Sequence, residues 1–264
     1  MSEAKHPSEQ GPPGAPMPGN PTETTAAPAS PSGAPQRIAP LWHTTVLVVA
    51  ILLLSAGSSN RQHLVITSRT RVLEYLLTLA WEWLLFAFCI WGARKSGTGL
   101  RELVGGRWRE IEDVLIDILT AAGFWVAAMV VLSLTARLLH LAGHNQLDDV
   151  RRQIGFLVPR SAHEVVLWIL LSVTAGICEE VVFRGYLQRQ LAALTRNVWA
   201  GIAVSGLTFG SAHGYEGAGR MMLVGIYGML FGLLAHFRRS LRPGMIAHAF
   251  HDGIMGLALR FFLK

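Results

Sequence analysis

The sequence predicts an all-α protein, a polytopic transmembrane helical bundle of about seven spans behind a disordered amino-terminal tail. Three observations carry that expectation. Of the 264 residues, 51% are hydrophobic and only 15% are charged, well below the roughly 25% charged content of soluble domains. Long apolar stretches recur at Leu41 to Ala56, Val72 to Gly92, Val114 to Leu139, Val165 to Ile177, Val198 to Ala212, Met221 to Phe237 and Gly244 to Phe262. Several approach the roughly 20 residues that cross a bilayer. The runs Phe124 to Leu134 and Leu223 to Ala235 also lack the polar face that a helix of a water-soluble core keeps. A tilted or re-entrant piece within the long stretch ending at Leu139 would change the span count by one.

The organisation follows from composition. Residues 1–40 are crowded with Pro, Gly, Ala, Ser and Thr and have almost no large apolar side chains, so they read as a disordered tail. Residues 41–160 form an amino-terminal group of transmembrane spans and loops, and residues 161–264 a carboxy-terminal helical core. The first apolar run is expected to stay as an anchor, because the tail precedes it and a multi-span pattern comes after it. Gly97 to Glu110, with Trp108 among Arg and Glu, reads as an interfacial stretch. His140 to Arg160 is a polar connection, after which Ser161 and Glu164 form a capping box.

The net charge of +6 raises nucleic-acid binding, but Arg94, Lys95, Arg101, Arg107 and Arg109 lie in short loops between apolar runs. Anionic lipid headgroups account for them, so the lipid bilayer is the expected partner and nucleic acid is not. A modest basic excess on the side of the amino terminus places that terminus in the cytoplasm. An Arg-rich, Lys-poor chain points to a bacterial plasma membrane. Cys89 and Cys178 both sit inside apolar helices, where a disulfide requires suitable helix packing.

Chemistry concentrates after Ser161. Glu179 and Glu180 interrupt an apolar helix and Arg184 comes one turn later. A charge at the membrane centre costs about 2.5 to 3.5 kcal/mol even on the lower scales, so both carboxylates must face protein, partners or water. Glu180 and Arg184 share one helical face in the favourable order for an ion pair. Glu179 lies at another azimuth, free for acid and base work. In the next apolar run, Phe209 and His213 stand four apart on a face of small residues. In the last, His248 and Asp252 are four apart and able to point into one cavity. A carboxylate pair, an Arg, two imidazoles and an Asp suit peptide hydrolysis in a dry site, with base, water and oxyanion stabilisation available.

At these residues the sequence resembles the CAAX protease and bacteriocin-processing (CPBP or Abi) family. EEVVFRG from Glu179 matches its EExxxR motif, FGSAH from Phe209 its FxxxH, and HAFHD from His248 its HxxxN/D. The resemblance covers about the last hundred residues and implies an all-helical intramembrane endopeptidase acting on membrane-associated or lipidated substrates. In it, Glu179 assisted by His213 activates water, Glu180 and Arg184 support the geometry, and His248 and Asp252 stabilise the oxyanion, while Phe209 meets substrate. His251 falls outside the motif. Asp252 departs from the family's Asn: an ionised Asp cannot donate a hydrogen bond, so it must be protonated, orient His248 or bind a metal. Glu179, His213, His248 and Asp252 would also make a reasonable zinc site, the one cofactor the residues suggest.

Rival readings have weaker footing. His163 and Glu164 open an HExxH string, but Leu167 stands where its second His belongs. Ser205, the candidate for a rhomboid-like serine protease, lacks the usual preceding Gly and reads with Gly206 as a small packing residue. A non-catalytic membrane scaffold or bacteriocin-immunity protein of the same fold is the main alternative. Glu74 and Glu82, eight apart in the second apolar run, would serve a proton or ion path, or equally close a hydrogen bond between helices.

Overall fold

The structure, a computed structural model, describes Met1 and residues 36–58, 67–139 and 155–262. Most of the expected tail, and the polar connection from His140 as far as residue 154, lie outside the described residues. The chain divides into two units, Met1–Gly33 and Ala34–Lys264, and every described helix belongs to the second.

Among the described residues the fold is all-helical, with no strand. The helices are α1 (Leu41–Ser58), α2 (Ser68–Lys95), the short α3 (Leu100–Val104), α4 (Ile111–Leu138), α5 (Ala162–Thr195), α6 (Val198–Ala212), α7 (Ala218–Arg238) and α8 (Arg242–Phe262). Their starts are written in the sequence. Ser161 and Glu164 cap α5 reciprocally as expected, Thr67 and Thr70 do the same for α2, and Asn197 Oδ1 accepts from Trp199 N at 2.9 Å at the head of α6.

Four helices, α2, α4, α5 and α7, are long and apolar enough to cross a membrane. The count therefore falls short of the seven expected. The apolar lengths of α1 and α6 are shorter than the roughly 20 residues a bilayer needs. In α8 the residues Arg242, His248, His251, Asp252 and Arg260 lower the hydropathy. Apolar side chains such as Leu53, Leu119 and Val166 stand outward, mostly exposed (68%, 71% and 66%). Such faces are what a lipid-facing bundle presents.

The centre of the fold is a wide turn inside α5. From Glu180 to Gln188 the helix changes to π geometry, and every residue of that stretch is buried. Val181, Val182, Tyr186 and Leu187 meet Leu47 and Ile51 of α1, Cys89 and Ile90 of α2, and Phe209 of α6. Just before α1, Ile38 N and Ala39 N donate to Gln190 Oε1 at 2.8 and 3.2 Å, and Gln190 Nε2 donates to Ala39 O at 2.7 Å. The amide side chain thus stands in for a strand edge and ties the entry segment to α5. Cys89 and Cys178 are both free thiols.

Small residues set the helix spacings. Gly206 and Gly210 of α6 face Gly225 and Gly228 of α7 so closely that a Cβ on Gly210 would come within 2.8 Å of Gly225 backbone atoms. Ser205 is buried and donates to Phe183 O at 2.8 Å, the packing role expected of it. Where α5 crosses α8, a Cβ on Gly176 would lie 2.7 Å from Met245 O and 2.8 Å from Ala249 N, both rigid backbone. Gly176→Val should therefore destabilise the protein by about 1–3 kcal/mol through overpacking, read as a lower thermal unfolding midpoint in detergent. An unchanged midpoint would show that α5 and α8 separate at no cost.

Two buried ionic clusters were not anticipated. Arg71 of α2 donates to both Glu164 oxygens at 3.2 Å and to Phe156 O at 2.9 Å, which holds the short 3-10 turn Gly155–Leu157 against α2. Asp117 of α4 accepts from Trp108 Nε1 at 2.7 Å and meets Arg238 and Arg242 at 3.2 and 3.1 Å. Trp108, expected at headgroup level, is 44% exposed but has its N–H committed to this cluster.

Candidate active site

The π stretch decides what each carboxylate of the pair faces. Glu180 turns into the core, where Arg184 Nη1 donates to its Oε1 at 2.9 Å and both side chains are 1% exposed. Arg184 is held in turn by Gly228 O at 3.2 Å and by the rings of Phe209 and Phe231, at 4.4 and 5.0 Å from its guanidinium carbon. A cation so placed is paired, hydrogen-bonded and stacked on π faces, which is how a buried charge becomes tolerable. Glu179, by contrast, opens onto a cavity of about 480 Å³, and its Oε2 is buried with no hydrogen-bond partner.

His213, the C-cap of α6, lines the same cavity. Its Nδ1 donates to Phe209 O at 2.9 Å. That bond fixes the tautomer and leaves Nε2 as the ring's acceptor. His248 sits behind the cavity wall, 4% exposed. Its Nδ1 donates to Glu180 Oε1 at 3.1 Å, while Nε2 lies 3.5 Å from Glu179 Oε2 and 3.7 Å from Asp252 Oδ2. Glu180 thus anchors Arg184 and His248 through a single oxygen. Asp252 lines the cavity, and its backbone carbonyl accepts from Trp168 Nε1 at 3.0 Å.

The residues singled out in sequence are thus brought together, with two exceptions in detail. Phe209, expected to meet substrate, is 2% exposed and does not line the cavity; its ring carries Arg184 and its carbonyl orients His213. His251 turns away from the cavity, accepting from Trp125 Nε1 of α4 at 3.2 Å.

Sequence reasoning missed Tyr215 and read Glu82 as part of an ion path or an interhelical hydrogen bond without linking it to this site. Tyr215 lies in the 3-10 turn Gly214–Glu216 and lines the cavity beside His213, with ring centroids 5.9 Å apart. Burial raises its phenol well above the ordinary value, and Glu216, Glu179 and Asp252 push in the same direction, so the hydroxyl is a proton-bearing donor. Glu82 of α2 is buried and lines the same cavity as Glu179. The signal for Glu82 was its charge inside an apolar run; for Tyr215 there was none beyond its nearness to His213. Most of the remaining wall is apolar, with Ile51, Leu54, Leu77, Trp81 and Leu85 in it, and Ser55, Glu74, Thr78 and Ser172 add polar groups.

A zinc ion needs three or four such side chains converging on one point at about 2 Å. Among the described residues no group of three or more His, Cys, Asp or Glu side chains is so gathered. His248 Nε2 lies 3.5 Å from Glu179 Oε2 and 3.7 Å from Asp252 Oδ2, well beyond coordination distance, and His213 enters from a different helix. The zinc arrangement expected as an option is not the one these side chains adopt.

No curated protein and no solved structure matches the chain. Residues 161–254 match the family described as type II CAAX prenyl endopeptidase Rce1-like. The match begins at the N-cap of α5 and ends just past Asp252, so it takes in Glu179, Glu180, Arg184, Phe209, His213, His248 and Asp252 and leaves α1 to α4 outside. Residues 161–254, the segment similar to that protease family, supply about half of the cavity's lining, Glu179, His213 and Asp252 among it.

Proposed function

We propose that the protein is an intramembrane endopeptidase that hydrolyses peptide bonds of membrane-associated or lipidated substrates in the bacterial plasma membrane. The observation that carries this reading is the pairing, in one half-open cavity, of an unpartnered Glu179 oxygen with a His213 ring whose Nε2 is left to accept. A water between them loses its proton to Glu179 as its oxygen attacks the scissile carbonyl, and His213 Nε2 accepts the second water hydrogen and holds the lone pair on line. The carbonyl π electrons move to oxygen. His248 serves as an imidazolium, its Nδ1–H held by Glu180 so that the ring cannot turn and its Nε2–H donating to that oxyanion. Collapse of the intermediate breaks the C–N bond, and the leaving amine takes the proton from Glu179.

Of the three roles open to Asp252, the 3.7 Å approach to His248 Nε2 supports orientation of that ring. Phe209 acts from behind, through Arg184 and His213. The apolar walls suit the hydrocarbon part of a lipidated or membrane-inserted substrate.

Purified protein in lipid should cleave a membrane-anchored reporter, and His213→Ala should slow that cleavage by roughly 10²-fold, the usual worth of a positioned base or acid. The same reporter after chelation tests the metal-free geometry: cleavage should persist. Loss on chelation restored by zinc would put a metal among Glu179, His213, His248 and Asp252. A folded wild type that cleaves no reporter would turn the assignment to a scaffold or immunity protein.

A further inference from the structure

Glu82 lies on α2, outside the family-matched segment, yet it reaches the centre of the site. It is 7% exposed, lines the cavity with Glu179, His213, Tyr215 and Asp252, and comes from a helix packed on α5, whose Glu179 has a buried oxygen without a hydrogen-bond partner. An ionised carboxylate only accepts hydrogen bonds, so a bond between two carboxyls needs a proton-bearing donor on one of them. A glutamate left alone at this depth would also be costly, so its retention asks for a partner. The carboxyl that shares its cavity on the facing helix is that of Glu179. Helix α2 is pinned in register by Arg71 and Tyr75, which bond Glu164, Phe156 and Leu157 at the mouth of α5.

We propose that Glu82 is a positioning residue of the site: its carboxyl, supplied by the amino-terminal helices, holds the Glu179 carboxyl in place by a carboxyl–carboxyl hydrogen bond. The inference rests on the proteolytic reading of the cavity. It makes the site a product of both halves of the chain, so the family-matched helices alone do not complete it. Gln keeps the size of Glu and supplies an N–H donor, whereas Leu keeps only the bulk.

The test uses full-length protein in lipid and a membrane-anchored reporter that the wild type cleaves. E82Q should retain kcat within about threefold, and E82L should lose about 10²-fold in kcat with KM unchanged, the scale set by misplacing a reacting group by an ångström. E82L at wild-type kcat, or folded E82Q as slow as E82L, overturns the role. If E82L does not fold, infrared spectroscopy of the others decides. The protonated-carboxyl C=O band of the wild type should vanish in E82Q and shift in E179Q, and a band indifferent to E179Q overturns the pairing. A wild type that cleaves no reporter removes the proteolytic reading and this role together, whereas E82L at full kcat removes this role alone.

Discussion

Glu179→Gln should abolish reporter cleavage, by roughly 10²- to 10⁴-fold in kcat, while the protein still inserts, purifies and unfolds at the wild-type temperature. Gln fills the same space, so the fold loses little. What is lost is the oxygen that takes a proton: Oε2, buried and unpartnered beside His248 Nε2. The contrast with Glu180 sharpens the expectation. Glu180 is the neighbour in sequence, but its Oε1 already serves Arg184 and His248, so Glu180→Gln should lower stability as well as rate. Cleavage by Glu179→Gln at the wild-type rate would remove Glu179 as the base.

Arg184→Met should cost about 3–5 kcal/mol of stability, the range seen when one member of a buried ion pair is removed. The reason is what stays behind. Glu180 would remain 1% exposed with its Oε1 left only His248, and Gly228 O would lose its donor. Met fills most of the space between Phe209 and Phe231, so lost packing is a small part of the effect. The measurement is denaturant or thermal unfolding in detergent, with the double variant Glu180→Leu, Arg184→Met beside it. The double variant should be markedly more stable than Arg184→Met alone, because no orphaned charge remains. Equal stability of the two would mean that Glu180 finds water in the folded protein.

Much of the site was legible because its chemistry is expensive. A carboxylate pair, a guanidinium and two imidazoles inside apolar runs have no cheap explanation, so Glu179, Glu180, Arg184, His213, His248 and Asp252 announced themselves by position alone. The Glu180–Arg184 pair and the separate azimuth of Glu179 came from helical spacing and survive the π turn, since neighbours one turn apart still meet when the turn widens. Phe209 was read by motif as a substrate contact because its spacing to His213 carries no information on which way the ring points. Only four of the seven expected spans meet the length and hydropathy a crossing helix needs: α1 and α6 are short, and α8 carries the polar residues of the site.

The sequence by itself determined the helical class, the capped start of α5, and the inventory of polar groups that must be hidden from hydrocarbon. Those are local facts, set by composition, by spacing and by the cost of burying charge. Only the tertiary structure decided who meets whom. The Nδ1–H of His213 goes to Phe209 O, that of His248 goes to Glu180, and Glu82, from a helix far earlier in the chain, comes to line the same cavity as Glu179. Partners so far apart in sequence are chosen by which helices can approach closely, and that is settled by Gly176, Gly206, Gly210 and Gly225, where the absence of a side chain lets backbones touch.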